Sequence, residues 1–181
     1  MERIMVFIDS NNFETAICEL YGARKSVDYG LLTEFLAKKF EGRLGRYYYY
    51  IAQGDPRREQ AKYQSNQRFI DTMNKKKKCI VRVGRLDYRG KDNEDKDIYV
   101  EKGVDVHIAI DMLTLAFHNA YDNAIILSAD TDYIPVVEQV RQMGKNVTLC
   151  IPDKQVAGRM KAACDDWIVL NKEDLNPLLR K

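Results

Sequence analysis

Ile125-Ile-Leu-Ser-Ala-Asp-Thr-Asp-Tyr-Ile-Pro-Val-Val-Glu138 is the stretch from which the fold is read. An apolar run, Ile125 to Leu127, gives way to small residues and then to two carboxylates, Asp130 and Asp132. A helical pattern follows at once, and Pro135 suits its first turn, where no backbone N–H is needed. Burying a carboxylate without a partner is costly, so a buried strand that ends in acids must offer them a cation, hydrogen bonds or water. Capping of the helix would by itself account for Asp130 and Asp132. Two other stretches weigh against that plain reading.

The first is the N-terminus. Arg3 to Ile8 has the nearly all-apolar pattern of a central strand buried on both faces. It ends in Asp9-Ser10-Asn11-Asn12, after which a helix carries Phe13, Ala16, Ile17 and Leu20 inward. Ser10 or Asn11 could cap that helix, which leaves Asp9 surplus to the task. The second is the helix from Gly103 to His118. On a helical wheel His107, Asp111, Thr114 and His118 share a polar stripe, while Asp105 lies opposite with Ala109, Met112 and Ala116. Asp105 is thus the one charge on the core-facing stripe, where capping does not require an acid to point. His107 and Asp111 read as a solvated i,i+4 pair, so neither histidine takes a catalytic role.

The remaining pattern alternates helices and strands. A helix over Asp28 to Phe40 sets Leu31, Leu32, Phe35 and Leu36 on one face, and a strand over Leu44 to Ile51 contains Tyr47 to Tyr50. Those four rings must alternate between two faces, which makes them core rather than a base-stacking platform. A helix from Arg57 to Asn74 carries Arg57, Arg58, Lys62 and Arg68 as a solvated face. Cys79 to Tyr88 is a strand, and Arg89 to Asp97 a polar loop or hairpin tip. The strand Asn146 to Ile151, a helix from Gln155 to Ala163 and a strand from Trp167 to Leu170 follow, with Trp167 in the core. Asn171 to Lys181 forms a tail, packed on the domain of residues 1–170 or extending from it.

Composition bounds the function. The chain has 181 residues, 45% of them apolar, and its 29 Lys and Arg nearly balance 27 Asp and Glu. That is one ordinary globular domain with no overall charge to select a partner. Cys18, Cys79, Cys150 and Cys164 lack the spacing of a zinc site or a disulfide framework. With no signal-like segment and no apolar run near the ~18 residues of a membrane span, a cytoplasmic setting without membrane contact is expected. The basic run Lys75, Lys76, Lys77 and Lys78, extended by Arg82, reads equally as a solvated turn or as a track for phosphates.

Alternating strands and helices imply an α/β fold with a mainly parallel sheet covered on both sides. Ligands of such sheets bind beyond the carboxyl ends of the strands, where strand order reverses. If the strands carrying Asp9 and Asp130 are neighbours, three or four carboxylates meet in one crevice and need cations to stay ionised together. Oxygen ligands without His or Cys select Mg²⁺ or Mn²⁺ over zinc, and such ions suit phosphodiester hydrolysis.

Three segments carry a resemblance: Phe7-Ile-Asp-Ser-Asn-Asn12, Lys102-Gly-Val-Asp-Val106 continued by Ala109-Ile-Asp111, and Leu127-Ser-Ala-Asp-Thr-Asp-Tyr133. In this order they resemble the signature segments of NYN domains, in the LabA-like branch of the PIN-like nuclease superfamily, over residues 3 to 170. The resemblance implies a three-layer α/β/α sandwich and a divalent-metal ribonuclease acting on RNA, single-stranded in the simplest case. It maps the acidic metal site to Asp9, Asp105, Asp130 and Asp132, with Asn12 and Ser128 as polar neighbours and Lys102 as a phosphate contact or a solvated lysine. Asp111 matches too, but its place on the wheel makes it a structural anchor. No appended RNA-binding module is apparent, so target choice is expected to involve a protein partner. Two other readings stay open: a regulatory module that binds RNA or protein without turnover, and a small-molecule phosphatase using Asp130 and Asp132.

Overall fold

The computed structural model describes residues 1–180; Lys181, the last residue of the tail, lies outside the described residues. In chain order the elements are β1 (Arg3–Asp9), α1 (Ser10–Tyr21), α2 (Tyr29–Lys39), β2 (Arg43–Gln53), α3 (Gln60–Asn74), β3 (Cys79–Lys91) and β4 (Asp97–Lys102). They continue with α4 (Val104–Phe117), β5 (Asn123–Leu127), a 3₁₀ turn (Thr131–Tyr133), α5 (Ile134–Gln142), β6 (Asn146–Pro152), α6 (Gly158–Ala163), β7 (Asp166–Leu170) and α7 (Lys172–Leu175). The strands form one sheet in the order β4-β3-β2-β1-β5-β6-β7, parallel except where β4 pairs antiparallel with β3. The expected α/β fold, a three-layer α/β/α sandwich with a mainly parallel sheet, is the fold found.

The all-apolar strands take the centre because only there are both faces covered. Ile4, Val6 and Ile8 of β1 turn into one core layer, together with Phe13 and Ile17 of α1 and Leu32 and Leu36 of α2. Met5 and Phe7 turn into the other, with Ile108 and Met112 of α4 and Val137 and Val140 of α5. The four tyrosines of β2 split as a strand must: Tyr47 and Tyr49 join the first layer, Tyr48 and Tyr50 the second. All four are buried, which places them in the core.

Several expectations need correction. Leu31 faces solvent, and the buried stripe of α2 runs through Tyr29, Leu32, Thr33 and Leu36. Trp167 is 51% exposed rather than core, because it sits on the outward face of the edge strand β7. Helix α3 begins at Gln60, three residues later than read, and α6 at Gly158, which leaves Gln155 in a loop. Of the two readings of residues 89–97, the hairpin tip is the one found, shortened by strand at both ends. The hairpin arms run to Lys91 and from Asp97, and the turn between them is closed by Asp92 Oδ1, which accepts from Glu94 N and Lys96 N. The tail folds back: Leu175 and Leu178 enter the core, and Leu178 O accepts from Asp28 N at 2.8 Å. Among the described residues no helix is long and apolar enough to cross a membrane.

One close approach ties the sheet to the site. Gly84 in β3 faces the start of α4, and a Cβ there would stand 2.7 Å from Val104 Cγ2 and 2.8 Å from Lys102 O. The carbonyl is backbone and cannot swing aside. Gly84→Ala should therefore cost about 1–3 kcal/mol by overpacking, read from the denaturation midpoint. An unchanged midpoint would mean that the β4–α4 junction yields freely.

Candidate active site

β1 and β5 are adjacent and in register, Ile4 against Asn123 through to Ile8 against Leu127. From β1 the chain proceeds to one side through β2 and β3, and from β5 to the other through β6 and β7. The order therefore reverses between β1 and β5, and Asp9 and Asp130 leave the sheet at that switch point. This is where a doubly wound sheet opens a crevice. The crevice is a cleft of about 510 Å³, lined by Asp9, Asn12, Glu101, Lys102, Asp105, Asp130, Asp132 and Gln155, among others.

Asp9 is the N-cap of α1, contrary to the expectation that it is surplus to capping. Its Oδ1 accepts from Asn12 N at 3.2 Å. The second oxygen serves the site: Oδ2 accepts from Ser128 Oγ at 3.1 Å and from the Tyr133 hydroxyl at 3.1 Å. A carboxylate has about four acceptor positions, so these three bonds leave about one free. Asp9 is only 5% exposed. Burial raises its pKa above the ordinary range, three hydrogen bonds oppose the shift, and the neighbouring charge of Asp130 adds to it.

Ser128 bridges the two strand ends. It donates to Asp9 and accepts from Asp130 N at 3.2 Å, while Asp130 Oδ1 caps the 3₁₀ turn through Asp132 N at 3.0 Å. Asp105 arrives from the far side in the first turn of α4, behind Gly103, whose φ of 82° lets β4 turn sharply into the helix. Asn12 touches Asp9 through its backbone alone. Its side-chain oxygen accepts from Ala129 N at 3.0 Å and from Gln155 Nε2 at 2.9 Å, which ties α1 to the loops after β5 and β6.

Glu101, Tyr133 and Gln155 are pocket residues that reading the sequence did not find. Glu101 is the penultimate residue of β4, and its carboxyl is pushed up to about 7 by burial first, then by the charges of Asp9 and Asp105. In the metal-free protein the folded state should therefore keep a proton that the unfolded chain has already released near the ordinary glutamate value. Stability should fall as pH rises from about 4.5 toward 7, with Asp9 contributing in the same direction. Thermal melting in EDTA across that range should give a visibly flatter pH profile for Glu101→Gln. Identical profiles would remove Glu101 from the charge cluster.

Of the other sequence candidates, Lys102 is at the cleft and the rest lie elsewhere. Arg82 is held on Asp111 through two bonds, Nε to Oδ2 at 2.9 Å and Nη2 to Oδ1 at 3.1 Å. The Tyr50 hydroxyl donates to the same carboxylate at 3.0 Å. Asp111 is thus a cross-element anchor and not the solvated partner of His107. Lys75 to Lys78 precede β3, at the end of the sheet opposite the cleft. Lys76 is bonded to Asp28 at 2.8 Å and Lys78 to Glu34 at 3.1 Å, so two of the four lysines already have anionic partners. Lys102 lines the cleft.

Can the cleft hold a divalent ion? Its donors are hard oxygens, with neither His nor Cys among the lining residues. Among the described residues, no three His, Cys, Asp or Glu side chains converge tightly enough to cage an ion by themselves. That spread excludes a closed tetrahedral site but suits an ion that keeps several waters and takes one or two carboxylates directly, as Mg²⁺ does. Asp130 and Asp105 are reachable from solvent and line the same cleft as Asp9, which keeps an acceptor position free, so the residues present fit such an ion.

Three comparisons accord with this geometry. The family model described as NYN domain matches residues 3–171. The "Low amplitude and bright protein LabA" of Synechococcus elongatus is 24% identical over 182 residues, spanning 99% of this chain and 88% of that protein. A crystal structure of VPA0982 from Vibrio parahaemolyticus, a protein of unknown function, superposes with a TM-score of 0.63 at 20% identity. The superposition covers 99% of this chain and 96% of that one, and at such identity it speaks for the fold alone. Because the family model takes in nearly every residue from the first strand to the last, the protein belongs to the NYN domain family.

Proposed function

We propose that this protein is a divalent-metal-dependent ribonuclease that hydrolyses phosphodiester bonds of single-stranded RNA in the cleft between β1 and β5. NYN domains fall within the PIN-like nuclease superfamily. The observation that carries the reading is the meeting of Asp9, Asp105, Asp130 and Glu101 in one cleft without an ion pair to any of them among the described residues. Repulsion of that kind is retained where a cation is to be bound.

Asp9 and Asp130 would hold the ion, with Asp105 and Asp132 accepting hydrogen bonds from its waters. Bound Mg²⁺ or Mn²⁺ would supply an activated water and would stabilise charge on the phosphate and the leaving oxygen. Ser128 and Tyr133 fix the rotamer of Asp9 at the cleft wall. Tyr133 stays protonated throughout, because burial and the charge of Asp9 raise its pKa strongly. Lys102 at the cleft wall would meet a phosphate oxygen. The test is cleavage of a labelled single-stranded RNA with Mn²⁺, with Mg²⁺ and with EDTA. Cuts should appear with either metal and vanish with EDTA, and metal-independent cuts would refute the assignment.

One observation favours a second reading, a module whose action depends on a protein partner. Val104, Ile108, Met112 and Ala116 turn α4 to the core, yet its outward face also carries apolar residues. Val106 is 52% exposed, Ile110 54% and Phe117 76%. A helix apolar on both sides is made to be covered. On this reading the purified chain binds RNA but leaves it intact in Mn²⁺.

A further inference from the structure

The basic patch singled out in the sequence lies at the wrong end of the sheet to serve the cleft, but another basic cavity stands at the right end. Resting on the nuclease reading above, we propose that this second cavity, between the end of β2 and the β3–β4 hairpin, binds the phosphate backbone of single-stranded RNA beyond the scissile bond. It has a volume of about 460 Å³ and is walled by Gln53, Asp55, Arg58, Arg85, Tyr88 and Arg89, among others.

Its central feature is Arg58, whose guanidinium carbon lies 3.8 Å from the centroid of the Tyr88 ring. Stacking uses the flat face of the guanidinium and leaves the N–H donors around its rim free to grip a phosphate in plane. The two carboxylates of the cavity are already engaged. Asp55 is bonded to Arg57 at 2.7 Å, and Asp87 to Arg85 at 3.1 Å and more loosely to Arg89 at 3.8 Å. Arg58 has no carboxylate partner among the described residues. Three arginines against two aspartates leave the cavity cationic, and Tyr88, set edge to face against Tyr99, holds the platform rigid.

Position links this cavity to the cleft. Glu101 and Lys102 of β4 line the acidic cleft, and their cross-strand partners Leu86 and Arg85 of β3 line the arginine cavity. One ladder step of roughly 5 Å separates such partners. A strand seated at the aspartates thus needs to cross only the foot of the hairpin to reach Arg58. Phosphate contacts from arginine position a strand without reading its sequence.

The experiment is fluorescence anisotropy of a labelled oligouridine in EDTA, where binding is read without cleavage, over a series of salt concentrations. Wild type is compared with Arg58→Ala/Arg89→Ala and with Lys75→Ala/Lys77→Ala, each checked for an unaltered melting temperature. The arginine variant should bind more weakly, and its plot of log affinity against log salt should be flatter by about 0.7 for each phosphate that is no longer neutralised. The lysine variant should match wild type in both respects. Wild-type affinity and slope in the arginine variant would overturn the cavity assignment, while RNA cleavage by wild type in Mn²⁺ kept the nuclease reading intact. Loss of binding in the lysine variant alone would overturn it too and move the track to the opposite end of the sheet. A wild type that neither cleaves nor binds RNA would remove both.

Discussion

Asp9→Asn should abolish cleavage while leaving the metal-free protein as stable as wild type or more so. The opposite signs follow from one arrangement. An asparagine can keep the cap, its oxygen accepting from Asn12 N as Asp9 Oδ1 does, and its amide can donate to the Ser128 or Tyr133 oxygen. What disappears is a buried negative charge whose pKa is raised by desolvation and by Asp130. Removing it relieves a cost in the folded state, so the melting temperature in EDTA should hold or rise at pH 7. Catalysis loses the anion that would anchor the cation. A loss of about 4 kcal/mol in transition-state stabilisation corresponds to roughly a thousandfold in rate. The stabilisation that millimolar Mg²⁺ confers on wild type should vanish as well, because only a ligand that binds the folded state shifts its melting. An Asp9→Asn protein still stabilised by Mg²⁺ would show that the ion sits elsewhere.

Phe7→Ala should cost the fold more than any change in the cleft. Phe7 is fully buried in the central strand, stacked on Tyr48 at 5.5 Å with the ring planes 14° apart and met edge-on by Tyr121 at 5.9 Å. Truncation leaves a cavity between the Tyr48 and Tyr121 rings that the sheet cannot close, since β2 and β5 hold β1 on both sides. The expected loss is about 3–5 kcal/mol, a large share of the roughly 5–15 kcal/mol that holds a domain together. Phe7 and Asp9 point to the same side of the sheet, two residues apart on one strand. A shifted strand would carry Asp9 with it, so activity should fall even where the protein remains folded. Urea denaturation gives the stability loss; a change below about 1 kcal/mol would mean that the ring cluster repacks around the void.

The centre of this molecule was legible because burial on both faces leaves a strong mark. Arg3 to Ile8 and Ile125 to Leu127 admit little but apolar residues, and the acids at their ends stand out against that background. The wheel of α4 was right that Asp105 and Asp111 differ but wrong about their exposure: Asp105 is exposed at the cleft rather than turned to the core, and Asp111 is the partly buried anchor of Arg82 and Tyr50. Where the sequence misled, a neighbour in space decided the matter. In β4 the alternation is inverted: Ile98 and Val100 face solvent, while Tyr99 and Glu101 turn inward. Pairing with β3 imposes that register, and no periodicity in Asp97 to Lys102 announces it. Glu101 was hidden for this reason, although it directly precedes the Lys102-Gly-Val-Asp segment. Trp167 reads as core by size alone, and only its place on the edge strand turns it outward. Lys75 to Lys78 adjoin a strand in sequence, but at the amino end of a parallel strand, which faces away from the crevice. Arg58 and Tyr88, thirty positions apart, become one feature only when the hairpin folds beside α3.

If Asp130 and its neighbours hydrolyse phosphodiesters with a divalent ion, the Asp130 carboxylate is indispensable to cleavage. Cleavage of a labelled single-stranded RNA in Mn²⁺ by wild type beside Asp130→Asn, both shown to be folded by their melting curves, tests it most directly. Wild type should cut and the variant should not, because Asp130 lines the cleft while its backbone bond to Ser128 Oγ survives the substitution. Equal cleavage by a folded Asp130→Asn protein would contradict it.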